Sequence, residues 1–115
     1  ELANFYDENL SDFPLKFQNK SVGGYSGMHL YVVRLNKSDK SRKEIFEILR
    51  NEGIGVNVHY IPIHLQPFYR QFGFQEGQFP EAESYYQEAI SLPIYPNLTD
   101  IELTKVITSL RLALE

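Results

Sequence analysis

Residues 53–74 read GIGVNVHYIPIHLQPFYRQFGF and carry two of the chain's three histidines, two prolines and two tyrosines behind a pair of glycines. So many rings and polar groups exceed what turning a corner requires, and this is where chemistry should be sought. Metal binding is the first possibility. His59 and His64 are five apart with Pro62 between them, whereas a helical zinc pair takes a spacing of four. No Asp or Glu lies between Glu52 and Glu76 and the chain has no cysteine, so further ligands would have to come from elsewhere, His29 being the nearest in kind. Nucleophilic catalysis needs an activated Ser, Cys or Lys beside a base. None of the serines sits on a G-x-S-x-G elbow, and Gly23, Gly24 and Gly27 do not compose G-x-G-x-x-G. What remains is binding. Pro62 and Pro67 fix two φ angles and stiffen the segment, and Tyr60 and Tyr69 flank it with rings that carry a polar tip. From Asn57 to Tyr69 the chain offers a rigid, aromatic-lined surface with hydrogen-bonding groups, a binding wall or half of an active site. The plainer alternative is that one or both histidines simply hydrogen-bond to loop backbone.

Composition narrows the class. The chain has 115 residues, 43% hydrophobic and 23% charged, which is one globular domain. Its net charge of −4 argues against a general nucleic-acid binder, whose phosphate contacts require a basic face. Without cysteine there is no disulfide framework and no thiolate metal site, which fits the cytoplasm. No apolar run approaches the ~20 residues of a membrane span and no signal peptide is visible. The start at Glu1 rather than Met points to a piece of something longer.

The elements that must hold residues 53–74 follow from local signals. Leu2, Phe5 or Tyr6, and Leu10 fall at helical spacing before Pro14, so residues 1–13 read as the end of a helix. Residues 14–27 show no period and read as a loop or irregular edge. MHLYVVRL, residues 28–35, is the strongest strand. Ser41 and Glu44 form a capping box, Ile45, Phe46, Ile48 and Leu49 supply an apolar face, and Gly53 is the left-handed stop. A short second strand is expected from Ile54 to Val58. The two prolines forbid a continuous helix over 60–67 but allow a helical turn over about 66–72. Pro80 can open a helix with Ala82, Tyr85, Tyr86 and Ala89 on one face, and AISLPIYP follows as an extended segment. Thr99 with Glu102 caps a closing helix lined by Leu103, Val106, Ile107, Leu110 and Leu114. The sum is an α/β (α+β) domain over residues 1–115, with its core in 28–115. It is a two-layer sandwich in which helices cover one face of a small sheet of about three strands.

Three stretches in this order, GIGVNVHYIPIH, F-P-x-A-E within FPEAESYY, and S-L-P-I-Y-P-x-L-T, resemble the C-terminal domain of the DegT–DnrJ–StrS aminotransferases. NVHYIPIHLQPFYR followed by GF is most similar to the branch of that family serving pseudaminic-acid biosynthesis. The resemblance implies the small domain of a fold type I enzyme that uses pyridoxal 5'-phosphate, with residues 1–13 leading from a large domain outside this chain. That large domain would carry the Schiff-base lysine and the cofactor. Lys16, Lys20, Lys37, Lys40, Lys43 and Lys105 fall in loops or on helix surfaces in this reading and match no Schiff-base motif. The chain alone is therefore expected to hold no catalytic residue and no cofactor, and to be inactive. Asn57, His59, Tyr60 and His64, with the backbone of Ile61 and Ile63, are the expected substrate contacts. The implied partners are the chain's own large domain, a UDP-linked keto sugar to be aminated at C4, glutamate as donor and a second copy in a homodimer, with neither nucleic acid nor membrane. A rival is a free-standing interaction module on the same fold, which the length of the encoding reading frame distinguishes.

Overall fold

A computed structural model describes residues 1–19 and 22–115. The chain runs helix α1 (Leu2–Leu10), strands β1 (Leu15–Phe17) and β2 (Tyr31–Leu35), helix α2 (Arg42–Asn51), a 3-10 turn (Ile63–Leu65), the short helix α3 (Pro67–Arg70), helix α4 (Pro80–Glu88), strand β3 (Ala89–Leu92) and helix α5 (Asp100–Leu114). The sheet is antiparallel throughout, in the order β1-β2-β3. Alternation along β2 buries Tyr31, Val33 and Leu35, which with Ile90 and Leu92 of β3 meet Leu10, Ile45, Leu49, Leu103 and Leu110 from α1, α2 and α5 in one core. Burial of this kind supplies most of the stabilisation, about 1.5–3 kcal/mol for each fully covered aliphatic side chain. Tyr6 is wholly buried, packs its ring 4.8 Å from that of Tyr31, and donates to the Pro93 carbonyl at 2.7 Å. Tyr31 donates to Asp7 at 2.8 Å. Burial raises both phenols well above the usual tyrosine range, helped at Tyr31 by the Asp7 carboxylate.

Local signals act as the sequence implies at the helix ends. Ser41 and Glu44, and likewise Thr99 and Glu102, form complete capping boxes. After α2, Gly53 adopts φ 79° and its N–H bonds to the Arg50 carbonyl, while Ile54 N–H bonds to that of Leu49 at 2.9 Å. That is a Schellman closure, and it buries Ile54.

Several expectations need correction. The segment expected as a loop or irregular edge over 14–27 contains the edge strand β1, whose three residues pair with Phe17 opposite Val33 and Leu15 opposite Leu35. Lys16 therefore lies on a strand, while Lys20 and Ser21 fall outside the described residues. The strand expected over 28–35 begins only at Tyr31, because Met28 is left-handed (φ 47°). Residues 54–58 form no strand. Ile54 N–H is spent closing α2 and Val56 N–H bonds to the Ile54 carbonyl, which leaves a single bridge between Asn57 and Ser91. Ala89 is not the last turn of α4 but the first residue of β3. Helix α4 lies against the other face of the sheet. There Arg34 binds Glu88 at 2.8 and 3.1 Å and lies over the Tyr85 ring, and Lys16 reaches the same carboxylate at 3.4 Å.

Candidate functional site

The segment from Asn57 to Leu65 leaves the sheet edge, crosses toward α4 and is held at two points. At the first, Asn57 and Ser91 exchange backbone hydrogen bonds of 3.0 and 2.8 Å, and two residues on, Nδ1 of the half-buried His59 lies 2.8 Å from Oγ of the buried Ser91. Ser91 faces this way because alternation puts Ile90 and Leu92 into the core. The hydroxyl thus engages one nitrogen of the imidazole and sets the plane of the ring. The Tyr60 ring stands edge-on to it at 4.5 Å, across a cis peptide.

At the second point, Pro62 is buried and its carbonyl accepts from Leu65 N–H, closing the 3-10 turn. His64 points inward, only 7% exposed, and its Nε2 lies 2.8 Å from Oε1 of Glu83 on α4. Both Glu83 oxygens also accept from Gly77 N–H, at 2.8 and 2.9 Å. These bonds, that of Gly77 first and that of His64 second, hold the Glu83 carboxyl below its usual range. Phe79 packs on His64 with ring centres 4.7 Å apart. Pro67 opens α3 at its first turn, and Arg70 folds back to the Leu65 carbonyl at 2.9 Å.

The expected site residues are therefore contiguous in space but divide between two clefts. Asn57 and His59 line the more polar cleft, of about 460 Å³, in which His29, Ser91, Tyr95, Glu102 and Lys105 share the wall with Ile54, Leu92, Leu98 and Val106. Tyr60, Ile61, Ile63 and His64 line an apolar cleft of about 530 Å³, walled on its far side by Phe74, Phe79 and Tyr85. In the polar cleft Tyr95 donates to Glu102 at 3.5 Å, and the phenol is pushed up, first by desolvation and then by that carboxylate. Among the described residues neither His59 nor His64 bonds to loop backbone. Each takes a side-chain partner far along the chain, His59 a hydroxyl and His64 a carboxylate. Among the described residues no cluster of three or more His, Cys, Asp or Glu could hold a metal ion, and no helix is long and apolar enough to cross a membrane.

The partners were less visible than the histidines. Ser91 and Glu83 lie 32 and 19 residues from the groups they hold. The only sign of them is that both fall inside the two later stretches, FPEAE and SLPIYP, that carry the family resemblance.

The fold and these stretches together define a class. The pattern of the DegT/DnrJ/EryC1/StrS aminotransferase family matches residues 1–111, and the chain belongs to that family. In particular, it is 42% identical over 117 residues to MJ1066, an uncharacterized protein of Methanocaldococcus jannaschii, a match covering 96% of this chain and 30% of that one. Its fold is similar to that of Spr1654 from Streptococcus pneumoniae, described as a sugar aminotransferase and solved in its PMP form (TM-score 0.89, 27% identity, 97% of this chain and 29% of that one). It is also similar to PseC of Helicobacter pylori, an aminotransferase involved in the biosynthesis of pseudoaminic acid (TM-score 0.84, 28% identity, 98% and 31%). The chain spans between 20% and 31% of the length of the relatives it matches.

Spr1654, solved in its PMP form, holds a pyridoxal-type cofactor, and such a group requires an amine for its aldehyde and N–H donors or cations around its phosphate. Among the described residues the apolar cleft is lined by no lysine or arginine, and its walls offer little polar surface. The one amine of the polar cleft, Lys105, is exposed on α5 and shares the cleft with Glu102. The donor sets of these two clefts do not fit the group.

Proposed function

We propose that this chain is the C-terminal part of a pyridoxal-phosphate-dependent aminotransferase that converts a nucleotide-linked 4-keto-6-deoxy sugar to its 4-amino sugar, in pseudaminic acid or related surface-glycan synthesis. Glutamate serves as amino donor. The rest of the polypeptide supplies the Schiff-base lysine and the cofactor, the intact enzyme works as a homodimer, and this chain alone is inactive. The observation that carries the reading is the family match over residues 1–111, joined by the PseC-like fold. The site fits it in chemical terms. Transamination needs the substrate held in one orientation and shielded from water. A proline-stiffened segment tied at Ser91 and at Glu83 can do both at little ordering cost. Asn57, His59 and Tyr60, with the backbone of Ile61 and Ile63, present donors and acceptors to sugar hydroxyls or an acylamino group. His64, its Nε2 turned to Glu83, contributes through the shape of the turn.

The test is made in the full-length protein with His59→Ala and Tyr60→Phe. Each should lower kcat/KM for the keto sugar by roughly 5- to 150-fold, the scale of one buried hydrogen bond left unmatched, with the cofactor still bound. Loss of melting temperature with unchanged sugar kinetics would move both residues from substrate binding to the scaffold.

A further inference from the structure

Between the two anchors lie Tyr60, Ile61, Pro62 and Ile63. Their order depends on the second anchor, and that anchor converges on one carboxylate. Glu83 stands one turn into α4 and gathers groups from three places: His64 Nε2 at 2.8 Å, Gly77 N–H at 2.8 and 2.9 Å, and the Phe79 N–H at the start of its own helix at 3.4 Å. The pair is well enclosed, the side chains of His64 and Glu83 being 7% and 13% exposed. Gly77 reaches the carboxylate from φ 90°, a conformation that side-chain-bearing residues rarely adopt. Because a carboxylate only accepts, the proton of this contact sits on Nε2 of His64, which fixes both tautomer and ring direction. With His64 fixed and Pro62 buried beside it, the backbone between the two anchors is held in place, and the side chains of Tyr60 (68%) and Ile63 (66%) stand exposed from it.

We infer that Glu83 is a positioning residue: through His64 it holds the Tyr60–Ile63 segment in the geometry that receives the sugar. The inference rests on the reading of that segment as substrate-facing. Glu83 itself touches neither substrate nor reacting atoms. All of these donors reach Oε1 and Gly77 alone also reaches Oε2, so a glutamine in either orientation sets its N–H₂ against the Gly77 N–H and offers His64 at best an uncharged amide oxygen, while α4 remains formed.

The experiment uses the full-length enzyme with Glu83→Gln, His64→Gln, the double variant, and Glu81→Gln as an exposed control on the same helix. The keto-sugar and amino-donor half-reactions are measured separately. Glu83→Gln should lower kcat/KM for the sugar about tenfold and leave the donor half-reaction at the level of Glu81→Gln. It should also raise hydrogen exchange in residues 60–65 and 77–79 alone. The double variant should be no worse than the worse single one, since both act through the same bond. Equal loss in both half-reactions, sugar kinetics unaffected by Glu83→Gln, or a Glu83→Gln protein that does not fold would each overturn the assignment. Failure of the underlying reading looks different: there, His59→Ala and Tyr60→Phe would also leave sugar kinetics untouched. If those two variants reduce turnover and Glu83→Gln does not, the substrate-facing reading stands and only the role of Glu83 falls.

Discussion

At the scale of single residues, the site is a set of polar side chains whose partners lie on the second face of the sheet. Ser91 is the simplest case. Its hydroxyl does nothing for the core, yet it occupies a buried position on β3 and meets His59. Ser91→Ala should leave the strand intact and free the imidazole to rotate. The cost is about 0.5–1.5 kcal/mol for one net hydrogen bond, read as a fall in sugar kcat/KM smaller than that of His59→Ala. A second expectation concerns acid. Glu44, Glu83 and Glu102 all have carboxyls held below their ordinary value of 4.5, Glu44 by the Ser41 hydroxyl, Glu83 by Gly77 N–H and Glu102 by Thr99 N–H first of all. The unfolded chain therefore takes up these protons before the folded one. Their stabilisation is complete above 4.5 and is lost as pH falls through the lowered folded-state values. Melting temperature should be level down to about pH 5 and then decline, and Glu102→Gln, already without its charge, should show a shallower decline.

Elements tell how much was legible beforehand. The two capping boxes and the Gly53 stop involve residues at most five apart, so the sequence displays them whole. Thr99→Ala should cost about 1 kcal/mol in urea unfolding through loss of the cap. Gly53→Ala should cost a similar ~1 kcal/mol, and the strain there is backbone alone, because the new methyl group would meet nothing closer than the Lys105 amine at 3.6 Å. Strand β1 was illegible for the opposite reason. Leu15–Phe17 is too short to show a period, and its pairing with Val33, Arg34 and Leu35 is a tertiary fact. The segment Ile54–Val58 misled because its alternation is real, with Ile54 and Val56 buried, yet the α2 closure takes the Ile54 N–H and a local turn onto the Ile54 carbonyl takes that of Val56. The site was half legible: the density of rings marked residues 57–64, while Ser91 and Glu83, which orient them, carry no local sign of that task.

Taken as a whole, the molecule has a well-covered core and, over residues 60–79, a dense run of uncovered apolar side chains. Tyr60, Ile63, Phe68, Phe72 and Phe79 are all exposed within twenty residues of chain, and the walls of the apolar cleft are nearly free of polar surface. Exposed apolar area of this extent favours association. The 115-residue chain expressed by itself should sediment as concentration-dependent oligomers, and Phe68→Ser with Phe72→Ser should return it to monomer with little change in melting temperature. A strictly monomeric profile for the unaltered chain at high concentration would contradict this.

The junction of α4 and β3 has a further consequence. Helix passes to strand between Glu88 and Ala89 with no connecting residue. The Glu88 carboxylate is tied to Arg34 and Lys16, and Ala89 is already paired with Arg34 in the ladder. One residue inserted here has no slack to enter. It would turn Ser91 toward the core and Ile90 toward the cleft, since side chains alternate at every step of a strand. Related sequences should accordingly vary freely in length between β1 and β2 and keep a constant count from Pro80 to Leu92, so that this joint serves as a fixed ruler for aligning them.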